Sequence, residues 1–119
     1  MDATAVIVEG PRQLALRSLA LTAMGPADVL VDIHWSGISS GTEKLLWTGE
    51  MPRFPGMGYP LVPGYETVGR VVRAASDTGM QAGQRVFVPG ANCFTGVKSL
   101  FGGAASRLVV SAQKVVPVL

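Results

Sequence analysis

The stretch Asp28-Val29-Leu30-Val31-Asp32-Ile33-His34-Trp35 puts Val29, Val31, Ile33 and Trp35 on one face and Asp32 and His34 on the other. Successive side chains of a strand point to opposite faces, so a period of two predicts a half-buried β-strand. Gly37 ends it. Working outward, residues 3–9 and 14–19 are short β-type runs separated by Gly10-Pro11, which predicts an opening hairpin. Downstream, residues 66–74, 84–88 and 105–110 read as strands, with residues 114–118 as a further short one. The turn signals between them are Asp77-Thr78-Gly79, Pro89-Gly90 and Gly102-Gly103. Short strands at this spacing predict a mainly β chain, a small barrel or sandwich with at most two or three short helical turns.

One of those turns is predicted at Ser40-Gly41-Thr42-Glu43, which has the Ser-x-x-Glu spacing of a capping box, followed by Lys44-Leu45-Leu46-Trp47. Residues 49–64 carry four prolines and four glycines. A solvated linker has no use for apolar anchors such as Phe54, Met57, Tyr59, Leu61 and Val62, so this segment reads as an ordered irregular loop packed on the domain. No repeat or low-complexity segment is visible.

Composition narrows the function classes. The chain has 119 residues, enough for one core, with 48% hydrophobic and 15% charged residues. Its net charge of +2 comes from basic residues scattered singly, without the stripe that tracks phosphates, so no nucleic-acid partner is expected. Cys93 is the single cysteine, which rules out an internal disulfide and a Cys-rich zinc lobe. The N-terminus lacks the pattern of an export signal, and no apolar run approaches the ~18 residues that span a bilayer. A cytoplasmic protein without a transmembrane segment is the expectation. The apolar ending at Val115-Val116-Pro117-Val118-Leu119 suggests a truncation.

The order of several segments resembles the N-terminal, GroES-like half of the medium-chain dehydrogenase/reductase superfamily. Gly37 to Glu43 looks like its Gly-x-Cys-Gly-Thr-Asp segment with one residue added, and Pro63-Gly64-Tyr65-Glu66 looks like its Pro-Gly-His-Glu segment. Val68-Gly69-Arg70-Val71 is similar to its Gly-x-Val strand, Gly83-Gln84-Arg85-Val86 to Gly-Asp-Arg-Val, and Gly102-Gly103-Ala104-Ala105-Ser106-Arg107 to Gly-Gly-Phe-Ala-Glu-Tyr. Within the superfamily, Ser36 to Leu45, Trp47-Thr48-Gly49 and Phe54 to Glu66 resemble the bacteriochlorophyllide a dehydrogenases, which oxidise a 3-(1-hydroxyethyl) substituent to 3-acetyl in bacteriochlorophyll synthesis. The resemblance implies a partly open GroES-like β-barrel over residues 1–119, with the Rossmann domain that holds NAD absent from this chain. It implies a tetrapyrrole substrate and leaves a homo-oligomer open.

The resemblance also implies site residues. Ser40 (or Ser39) and Tyr65 occupy the positions where zinc enzymes of the superfamily place Cys and His, and a neutral hydroxyl is a poor zinc ligand, so no zinc is expected. Thr42 matches the hydroxyl that relays the proton, and Tyr65, Glu43 and Glu66 are the further candidates for acid–base work. Phe54, Met57 and Tyr59 are expected to line an apolar substrate pocket. Structural roles compete with each of these: a cap for Ser40 and Glu43, an arginine pair for Glu66, simple packing for Tyr65, a surface position for His34. Gly56-Met57-Gly58 makes no dinucleotide fingerprint, because no third glycine and helix follow. The isolated chain is therefore expected to lack dehydrogenase activity and NAD affinity. The competing classes are a non-catalytic GroES-like module that binds a tetrapyrrole or a partner chain, and a zinc-free quinone or enoyl reductase domain.

Overall fold

The computed structural model describes residues 1–99 and 101–119. Strands β1 (Asp2–Gly10) and β2 (Gln13–Ala20) form the expected antiparallel hairpin. Strands β3 (Asp28–Ser36), β4 (Thr67–Ala74), β5 (Arg85–Val88), β6 (Arg107–Ser111) and β7 (Val116–Pro117) make a second sheet in the order β6-β3-β4-β5-β7. The one α-helix among the described residues is α1 (Thr42–Thr48), and two 3-10 turns lie at Ser76–Thr78 and Ala112–Lys114. No helix among the described residues is long and apolar enough to cross a membrane.

The hairpin closes against the larger sheet through backbone bonds rather than a continuous ladder. Val6 N–H donates to Ala104 O at 2.9 Å, and Val8 and Leu61 exchange both of their bonds at 2.9 and 3.0 Å. These contacts turn two sheets into a partly open barrel around one core, in which Ile7, Val29, Leu30, Val31, Val71, Val86, Val88 and Leu108 are fully or almost fully buried. Each such side chain contributes about 1.5–3 kcal/mol relative to exposure. Cys93 belongs to this core, where burial pushes its thiol up to about 11 and keeps it protonated.

Residues 49–64 behave as the ordered loop their apolar anchors imply. Leu61 and Val62 are buried, and Leu61 joins Val8 and Leu46 in a second, smaller cluster beneath α1, against which Met51, Met57, Tyr59 and Phe101 pack.

The pattern of β3 departs from its sequence reading at both ends. Leu30 is as buried as Val29 and Val31, so successive residues on both faces of β3 are covered at that level. At the other end Ile33 pairs with Gly69 but Trp35 pairs with Val68, so His34 is an extra residue on β3. A bulge of this kind resets the alternation. Trp35 thereby leaves the core face and is 76% exposed.

Candidate functional site

The bulged end of β3 runs through Gly37 and Ile38 into α1. Helix α1 begins two residues before the turn expected at Lys44–Trp47, and its capping differs from the expected box. Gly41, not Ser40, is the N-cap and provides no side-chain bond. The Glu43 carboxylate instead accepts the backbone N–H of Ser39, while Glu43 N–H donates to Ser39 O at 3.1 Å. Ser40 is left exposed at the mouth of the helix.

Thr42, the first helical residue, meets Tyr65 from the loop before β4: the Tyr65 hydroxyl donates to Thr42 Oγ1 at 3.4 Å. The Tyr65 ring is held by Phe101, with centroids 5.1 Å apart and planes tilted by 51°. Glu66 follows. Its backbone oxygen accepts Gly37 N–H at 2.7 Å, and a β-carbon on Gly37 would lie 2.9 Å from Glu66 Oε2, so the missing side chain makes room for this carboxylate. Burial raises the Glu43 carboxyl above its ordinary value, the bond from Ser39 opposes this, and the negative charge of Glu66 adds to the rise. Four of the five catalytic candidates, Thr42, Glu43, Tyr65 and Glu66, thus gather at the junction of β3, α1 and β4. The arginine pair expected as a structural role for Glu66 does not form among the described residues, where the ion pairs join Arg17 to Glu9 and Arg107 to Asp32.

A raised carboxyl has a sign that can be checked. The fold favours the protonated form of Glu43, so its stabilising contribution is fully present below the ordinary carboxylate range and is lost as pH rises through the raised folded value. Glu43→Gln keeps an acceptor for Ser39 N–H without the charge. We expect the variant to gain thermal stability on wild type between pH 4 and pH 7, and a melting-temperature difference moving the other way would refute this.

Beside this junction lies an apolar groove of about 470 Å³ whose walls include Val8, Leu14, Trp35, Ile38, Glu43 and Trp47. The loop residues expected to form a substrate pocket are placed elsewhere. Tyr59 donates its hydroxyl to Leu46 O at 2.6 Å and, with Met57, packs in the cluster beneath α1, so both hold the helix in place. Phe54 is 39% exposed on the loop. The sequence reading missed Trp35, Ile38 and Trp47; a bulge that turns Trp35 outward leaves no mark in the alternation itself.

The sequence matches the alcohol dehydrogenase GroES-like domain over residues 25–119. The chain belongs to that family. It is 59% identical over 116 residues to the 2-desacetyl-2-hydroxyethyl bacteriochlorophyllide A dehydrogenase of Rhodobacter capsulatus, which covers 97% of this chain and 37% of that protein. It is 56% identical over 121 residues to the protein of the same name from Cereibacter sphaeroides, covering 98% and 38%. The chain thus spans less than two fifths of the length of these curated relatives. Among solved structures, CAD from Helicobacter pylori complexed with NADP(H) superposes with a TM-score of 0.78 at 18% identity, over 99% of this chain and 42% of that one. At that identity the likeness shows the fold alone.

The resemblance puts Ser40 (or Ser39) and Tyr65 where zinc enzymes of the superfamily carry ligands; the Tyr65 hydroxyl bonds Thr42, and a neutral hydroxyl is a poor zinc ligand. Chain purified without added metal should carry no stoichiometric zinc; one zinc per chain by elemental analysis would overturn that expectation. For a dinucleotide, α1 is a helix of seven residues whose first turn already holds the Glu43 carboxylate, a charge that repels a phosphate.

Proposed function

We propose that this chain is the substrate-side domain of an NAD-dependent dehydrogenase whose full-length form oxidises the 3-(1-hydroxyethyl) group of a bacteriochlorophyllide to 3-acetyl. The observation that carries this reading is the likeness to two bacteriochlorophyllide dehydrogenases along nearly the whole chain. The meeting of Thr42 with Tyr65, and the presence of Glu43 in the wall of an apolar groove, support it.

Oxidation of a secondary alcohol removes a proton from oxygen and a hydride from carbon. A nicotinamide held by the remainder of the full-length protein would supply the hydride acceptor. This chain supplies the proton's route. Tyr65 donates to Thr42 Oγ1, which keeps a lone pair to accept the carbinol proton and its own proton to pass on. As the carbon–oxygen double bond forms, Thr42 Oγ1 takes the carbinol proton and releases its own to a carboxylate, for which Glu43 and Glu66 are the candidates, while the Tyr65 hydroxyl keeps its proton and holds Thr42 in place. Burial of Glu43 suits it to accept a proton nearer neutrality than an exposed carboxylate would.

The test is product formation by the full-length protein given 3-(1-hydroxyethyl)bacteriochlorophyllide and NAD, followed by absorption as the new carbonyl joins the ring conjugation. We expect 3-acetyl product. Its absence with both NAD and NADP would sink the reading.

A further inference from the structure

Of the acid–base candidates Glu43 lines the groove, and the apolar wall around it has no role in the proton's route. That wall carries the most exposed large side chains of the β3–α1 crossing: Trp35 is 76% exposed, Ile38 85% and the facing Leu14 62%. Single exposed apolar residues are ordinary, but a contiguous set lining a concavity marks a binding surface. The volume, about 470 Å³, lies within the range of roughly 300–1,000 Å³ typical of small-molecule sites. Trp35 is there because of the extra residue at His34; without that bulge it would point into the barrel.

From these observations we propose that the groove seats one apolar face of a tetrapyrrole macrocycle, against Trp35, Ile38 and Trp47, with the substituent to be oxidised directed toward Glu43 and Thr42. The proposal rests on the dehydrogenase reading and moves the substrate seat from the loop of residues 54–59 to the β3–α1 crossing. Three features fit a flat conjugated ring. The wall is apolar apart from few polar groups, as the face of such a ring requires. Two indole rings, Trp35 and Trp47, are available for offset contact with it. Above all, Glu43 lines the groove and directly follows Thr42 in α1, so a ring lying on the wall meets a carboxyl group beside the hydroxyl pair's helix.

The chain contains two tryptophans, and both line the groove, so their emission reports on it directly. Titration of the 119-residue chain with 3-(1-hydroxyethyl)bacteriochlorophyllide should quench that emission saturably. Trp35→Ala, a change at an exposed position that leaves the core intact, should raise the Kd at least ten-fold, measured by absorption of the bound pigment. Leu16→Ala, exposed on β2 outside the groove, should leave Kd within two-fold. If Phe54→Ala weakens binding and Trp35→Ala does not, the seat is the loop and the proposal fails while the dehydrogenase reading stands. If the wild-type chain self-associates with both tryptophans shielded and pigment does not dissociate it, the groove is a protein interface and the proposal is overturned. Failure of the full-length protein to bind the pigment at all would remove the dehydrogenase reading along with it.

Discussion

Gly69→Ala should cost on the order of 4 kcal/mol or more, enough to leave most of the chain unfolded at 37 °C. A β-carbon at this position would lie 1.9 Å from Asp32 O, 2.8 Å from Asp32 C and 2.9 Å from the Ile33 Cα, all backbone atoms of the adjacent strand. No rotamer change relieves a clash with backbone. Relief requires β3 and β4 to separate where Ile33 pairs with Gly69, next to the bulge, and the contacts of Val31 and Val71 would open with it. Gly41→Ala is the control: nothing lies within 4 Å of the added carbon, and the change should cost about 1 kcal/mol or less. Urea denaturation of the two variants decides the matter. Equal midpoints would mean that the strands part easily at the bulge.

Gly69 also shows how far the fold was legible in the sequence. Alternation and turn residues locate all the strands to within two residues or so, because burial on one face imposes a period of two on any strand that has a wet side. They fail where burial stops being one-sided. Leu30, buried on the face assigned to polar residues, and Trp35, exposed on the face assigned to the core, both lie on the strand that the pattern shows most clearly. Pairing with a neighbour far along the chain decides both, and no local period encodes it. The need for glycine at position 69 is of the same kind, set by the close approach of Asp32.

The site was legible to a different degree for each residue. Thr42, Glu43, Tyr65 and Glu66 lie on two segments that the superfamily resemblance had already singled out, and the fold brings them together. Phe54, Met57 and Tyr59 were expected to line a pocket from the apolar character of their loop and the flat tetrapyrrole that the resemblance implies. Composition cannot tell an aromatic facing a ligand from one that packs beneath a helix, and Tyr59, bonded to Leu46 O, does the second. Ser40 is not the cap: Gly41 is the N-cap, and the Glu43 carboxylate accepts Ser39 N–H instead.

In the full-length enzyme, Thr42→Val and Tyr65→Phe should each lower turnover on the order of ten- to a thousand-fold, the range that one positioned hydrogen bond or acid–base group supplies. Both changes keep the shape of the side chain. Tyr65→Phe retains the ring contact with Phe101 and removes the donor to Thr42; Thr42→Val retains the β-branch and removes the oxygen between Tyr65 and the substrate. Charge develops on the carbinol oxygen only as the reaction proceeds, so a hydroxyl that stabilises it acts on the transition state more than on the bound alcohol. The loss should therefore fall on kcat, with KM changed little. The double variant provides the sharper reading. Two hydroxyls in one relay fail together once either is gone, so the pair should lose little more than the worse single variant; independent contributions would multiply. If both single variants turn over like wild type while retaining the wild-type circular dichroism spectrum, the proton leaves directly through Glu43 or Glu66, and Glu43→Gln and Glu66→Gln become the variants that lose turnover.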